Sequence, residues 1–176
     1  MVPDAFREYF TATATGAGAL IGLLFVSISL RPDTVFGTKA AVHGRALAGS
    51  AFTALVNAFF VSLLALMPQS NLGYSAAIMA AFSLYRTMQL HWRIGRKELH
   101  LVTLVLSIAA YGCQLVTGVL LVARPDSEFL VFTVAYLLIG SFGVALVRAW
   151  SLLQGRHLAG QNAADGQPAA SGPPPA

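Results

Sequence analysis

Asn57 and Gln114 are side-chain amides set in stretches otherwise dominated by apolar residues. An amide in such a setting either pairs with another polar group or holds water, because leaving it bare is costly. Gln114 belongs to the series Thr103, Ser107, Tyr111, Gln114 and Gly118, spaced +4, +4, +3 and +4. At 3.6 residues per turn that series lies on one face of a helix. Asn57 ends a shorter series, Ser50, Thr53 and Asn57, at a similar depth. Two chemistries suit such stripes: hydrogen bonding between helices, or the lining of a narrow aqueous path. Arg86 adds a full charge. It shares a helical face with Ser75, Met79, Phe82, Gln89 and Arg93, about 11 Å along the axis from Arg93. It reads either as an anchor whose long side chain snorkels to the interface, or as an anion-attracting or ion-pairing group with Asp33 or Glu98 as partners.

The residues that catalysis needs are missing from these apolar stretches. No Asp or Glu lies in their central parts, and the chain has no HExxH, G-x-S-x-G, P-loop or dinucleotide fingerprint. Gly16, Gly18 and Gly22 have the wrong spacing for the last of these, and no strand precedes them. His43, His91, His100 and His157 fall in expected loops or the tail, and two histidines without a carboxylate make a poor metal site. Cys113, the single cysteine, allows no disulfide within the chain. No catalytic residue, metal or cofactor is predicted, and the chain is expected not to be an enzyme.

The elements that carry these residues follow from composition. Of 176 residues 56% are hydrophobic and 10% charged, where a soluble domain carries about 25% charged residues. With mean hydropathy +0.69, lipid is the expected solvent. A membrane helix needs about 20 apolar residues, and five segments qualify: 9–30, 46–67, 72–92, 100–123 and 128–150. The third is the least apolar, since Arg86, Thr87 and Gln89 occupy its last turns. Arg31-Pro32-Asp33, the stretch Pro68 to Gly73, and Arg124-Pro125-Asp126 separate spans, with Asn71 and Ser127 as N-caps. The fold class is therefore all-α, a polytopic transmembrane bundle over residues 1–154. The Gly-, Pro- and Ala-rich residues 155–176 are expected to be a disordered cytoplasmic tail.

Charge sets the threading. With the N-terminus outside, only Arg7 and Arg124 of the eleven Lys and Arg residues face out, and the rest fall inside with the C-terminus. Trp92 and Trp150 then mark the inner boundary and Tyr9 and Tyr74 the outer one. A net charge of +4 reflects these inner loops rather than a nucleic-acid surface.

The stretch 11–30, TATATGAGALIGLLFVSISL, reads as a close-packing helix. Thr11, Thr15, Gly18, Gly22, Phe25 and Ser29 share one face, and GALIG (18–22) is a G-x-x-x-G pair that admits a neighbouring backbone. The neighbour is another helix of the chain, a second copy or a larger membrane protein. GAGALIGLLFVSISL (16–30), with Arg45-Ala46-Leu47 and LLALMPQSNLG (63–73), resembles small bacterial membrane proteins that begin with a Gly/Ala-rich helix running into a G-L-[LIV]-F-V-x-[VIL]-S string. Some of these carry names that suggest modulation of a membrane protease. The resemblance covers about the first 75 residues and implies a multi-pass protein of the bacterial inner membrane. Two functions are expected from the whole: helix–helix association with itself or a larger membrane partner, or a small oligomeric channel or passive transporter with its path along the fourth span.

Overall fold

A computed structural model describes residues 4–30, 41–68, 70–94 and 101–165, and within them all regular structure is helical. A short 3-10 turn, Asp4–Phe6, leads into α1 (Arg7–Leu30), α2 (Ala41–Leu66), α3 (Leu72–Ile94), α4 (Leu101–Ala123) and α5 (Glu128–Asp165). Four of these helices hold stretches long and apolar enough to cross a membrane: Arg7–Leu30, Ala48–Ala65, Leu104–Ala123 and Glu128–Trp150. The fifth, α3, has the length at 23 residues but is diluted by Tyr85, Arg86, Thr87 and Gln89 near its end. Arg31-Pro32-Asp33, Lys39, Arg96, Lys97 and Glu98 lie outside the described residues.

Two of the turns show why the helices stop where they do. The Asn71 side chain accepts the Gly73 amide at 2.9 Å, so it caps α3 as its type suggests. The Arg124 amide closes the last turn of α4 on the Leu120 carbonyl, and Pro125 cannot continue it. Ser127 starts α5, its carbonyl accepting the Leu130 and Val131 amides. At the other end, α5 does not stop near residue 154. It runs to Asp165, so residues 155–165, expected to be disordered, are helical. The Leu, Gln, Arg and Ala residues beyond Trp150 favour helix, and the first proline comes only at Pro168. Residues 166–176 lie outside the described residues.

Consecutive helices run antiparallel, and α2 is the hub. It packs on α1, α3 and α5, while α4 closes a ring by packing on α3 and α5. Alanine makes this possible: Ala51, Ala54, Ala58 and Ala65 are buried along α2, Ala58 and Ala65 in one cluster with the larger Phe10 and Leu138. Small side chains let neighbouring helices come close enough for dispersion to hold them in lipid. The larger core cluster lies toward the end that holds the N-terminus, uniting Phe10, Val61, Leu72, Leu121, Val134 and Leu138. Toward the opposite half, the described residues form a smaller cluster of Ala54, Leu55 and Ala145. Outward, Leu23, Ile78, Val105, Val116, Phe129 and Val147 are all exposed, as lipid-facing residues are. Trp92 and Trp150 are exposed at the end away from the N-terminus, and Tyr74 at the near end.

Helices α3 and α4 pack at backbone contact. A methyl group on Gly118 would lie 2.6 Å from the Ala77 amide nitrogen, and one on Gly73 2.6 Å from that of Val122. Gly73 and Gly118 are therefore the glycines that two packed backbones require.

The face of α1 that meets the bundle differs from the expected one. Phe10, Thr13, Ala14, Ala17 and Leu24 are buried, whereas Thr11 and Thr15 are exposed with hydroxyls bonded back to the Arg7 and Thr11 carbonyls at 2.9 Å. A methyl group on Gly18 would lie 3.5 Å from the Phe59 ring, and one on Gly22 would have nothing within 4 Å among the described residues. Bulk decides the rotation: Phe10 and Leu24 make more dispersion contacts with neighbouring helices than glycines can. Tyr9 pins α1 to α5 by donating its hydroxyl to the Ala135 carbonyl at 2.7 Å. Tyr9→Phe is expected to lower stability by about 1 kcal/mol, and unfolding in detergent micelles measures it. A variant as stable as the parent would show that apolar packing alone holds α1.

Candidate functional site

Among the described residues, two groups of buried polar side chains bond from helix to helix, stacked along the bundle axis. The first joins three helices. Asn57 on α2 and Gln114 on α4, 0% and 1% exposed, form a reciprocal pair. The Asn57 amide donates to Gln114 Oε1 at 2.8 Å, and the Gln114 amide donates to Asn57 Oδ1 at 3.1 Å. Gln114 also donates to the Ala76 carbonyl of α3 at 3.3 Å. Each residue stands nine positions from its helix end on the N-terminal side, about 14 Å by helix rise. That equal depth, visible in the sequence, is what lets the amides meet.

The second site lies deeper toward the opposite end. Arg148 on α5 is only 7% exposed, and its Nη2 donates to Ser107 Oγ on α4 at 2.7 Å. Side chains on a helix tilt toward its N-terminus, so Arg148 reaches back into the span rather than out to the nearer end. Its Nε has no hydrogen-bond partner, a state it shares among the described residues with the hydroxyls of Ser62 and Ser83. Tyr111, one turn beyond Ser107 and 4% exposed, lies within electrostatic reach of the guanidinium. Beside this group a recess of about 160 Å³ opens between α4 and α5, backed by Ala54 of α2. Ser107, Tyr111 and Ser141 contribute to its wall, with Ala110, Leu137 and Gly140 making it mostly apolar.

The stripe on α4 is thus packed at each described position. Ser107 meets Arg148, Tyr111 and Gln114 are buried, and Gly118 is pressed on α3. The side chain of Thr103 lies outside the described residues, as do those of His43, His91 and His100. On α2, Thr53 returns its hydroxyl to the Gly49 carbonyl at 2.9 Å. Arg86 is exposed on α3, away from both sites. Among the described residues the buried cation is Arg148 instead, which the charge count places among the inner-boundary residues. A signal for it exists in the sequence. Arg148 continues the register of Val134, Leu138, Ser141 and Ala145, all buried, whereas Arg86 has Tyr85 and Phe82, both exposed, for neighbours.

Comparison of the chain with protein-family models, with curated proteins and with solved structures finds no match.

Proposed function

We propose that the chain is a five-span integral membrane protein of the bacterial inner membrane, N-terminus outside and C-terminus inside, that acts through helix–helix association and catalyses nothing. The observation that carries this reading is the outer face of α1. Thr11, Thr15, Ala19 and Gly22 are exposed together, spaced +4, +4 and +3, and among the described residues no other helix comes within 4 Å of where a methyl group on Gly22 would stand. A helix side this flat lets a second helix approach closely, and the rest of the bundle holds it in place. Its register differs from the Gly18–Gly22 pair, because Gly18 is turned toward Phe59. The partner is a second copy or a larger membrane protein.

Five spans are favoured over four because α3 lies against both α2 and α4, each of which can cross a membrane. The exposed Trp92 and Trp150 at one end, with most Lys and Arg residues on that side, support the orientation. Packed amides and hydroxyls on α4 favour association over a conducting path.

Gly22→Leu places bulk on the open face without touching the core. In mild detergent the parent chain is expected to migrate as a defined oligomer or with a co-purifying partner, and Gly22→Leu as a folded monomer. Purified parent chain alone separates self-association from a foreign partner. A parent chain that is monomeric and partner-free, in detergent and in native membranes, would sink the reading.

A further inference from the structure

A buried guanidinium needs compensation. Removing an ionised group from water costs several kcal/mol unless charge and hydrogen bonds replace the solvent. Arg148 has one neutral hydroxyl at 2.7 Å and an unpartnered Nε. Ser107, the hydroxyl it holds, also belongs to the wall of the recess between α4 and α5. The wall of the recess is apolar along Ala110, Leu137 and Gly140, and it carries Ser107 and Tyr111 at one end, with Arg148 seated behind Ser107. Its mouth is flanked by Leu106 and Tyr136, both exposed where lipid chains would lie. A space of about 160 Å³ is close to that of a cavity that takes up benzene, so it accepts part of a hydrocarbon chain and no bulky solute.

We propose that this recess binds an anionic lipid, with the headgroup phosphate at the Arg148 end and a segment of acyl chain between α4 and α5. The charge supplies the choice of lipid. Arginine forks pair with phosphate through charge-assisted hydrogen bonds, which a zwitterionic headgroup with its own cation satisfies less well. The apolar wall supplies the affinity and holds the chain against the bundle. The recess shares no residue with the α1 face, so the two proposals stand or fall separately.

Trp150, two residues from Arg148 and exposed, reports on the site. The full chain carrying Trp92→Phe is reconstituted in phosphatidylcholine vesicles with a minor fraction of chain-brominated phosphatidylglycerol or chain-brominated phosphatidylcholine. Quenching of Trp150 is expected to favour the anionic lipid about tenfold in apparent affinity. Arg148→Gln abolishes the preference. Gly140→Leu also abolishes it by filling the recess while leaving Arg148 in place, and it is expected to fold because nothing lies within 4 Å of Gly140. Equal quenching by the two lipids in the parent overturns the proposal. So does a preference that survives Gly140→Leu, which would trace to the exposed basic residues at the surface. Inorganic phosphate added to the vesicles is expected to leave the quenching unchanged; if it displaces the brominated lipid, the site takes a free anion and the lipid assignment fails.

Discussion

Gly118→Ala is expected to destabilise the bundle by about 2 kcal/mol. The new carbon would lie 2.6 Å from the Ala77 nitrogen, 3.0 Å from its Cα and 3.0 Å from the Gly73 carbonyl oxygen. All three are backbone atoms, so no side chain can rotate away and α3 must move off α4 along the seam. Gly73→Ala meets the same obstacle from the other helix, at 2.6 Å from the Val122 nitrogen and 2.7 Å from the Gly118 oxygen. Alanine gains up to about 1 kcal/mol of helix propensity over glycine, which offsets part of the clash. Gly22→Ala and Gly112→Ala isolate that gain, since nothing lies within 4 Å of either. Unfolding of the four variants in one detergent is the measurement. If Gly118→Ala matches Gly22→Ala, α3 and α4 do not pack at backbone contact.

Gln114→Leu is the second large change, with an expected loss of about 2 kcal/mol. Leucine fills nearly the same volume, so the cost comes from Asn57, left buried without the groups that donate to and accept from it, and from the freed Ala76 carbonyl. Asn57→Leu strands Gln114 in turn, although that residue keeps its bond to Ala76. The two losses are not expected to add. A double-mutant cycle is expected to give a coupling of about 1 kcal/mol, within the range found between membrane helices. Additive losses would mean that the amides are hydrated singly rather than bonded to each other. The same variant tests the channel reading: ion flux through liposomes that Gln114→Leu alters would return Gln114 to a conducting path.

Much of this was legible in the chain itself. Helix starts and ends near Leu30, Leu66, Leu72, Ala123 and Glu128 follow from proline, cap residues and the length of apolar runs, all of them local properties. The depth match of Asn57 and Gln114 follows from counting residues along antiparallel helices of similar length. The rotation of each helix about its own axis is another matter. In a soluble protein polar residues mark the outer side, but in lipid apolar side chains suit both core and surface, so the pattern that reveals a buried face is faint.

That faintness explains each departure. The spacing of Thr11, Thr15 and Gly22 marks one packing face of α1, yet the buried face is that of Phe10, Ala17 and Leu24. Gly73 and Gly118 carry the close crossing, while the G-x-x-x-G pair of α1 does not, because glycine permits close approach only where a partner backbone arrives. The charge of Arg148 was visible, but its direction was set by α4 passing near enough to offer Ser107. Sequence by itself determined that these helices form and at what depth their polar groups lie. Only tertiary structure decided which side of each helix is buried, because that depends on the shapes of neighbours far away in the chain.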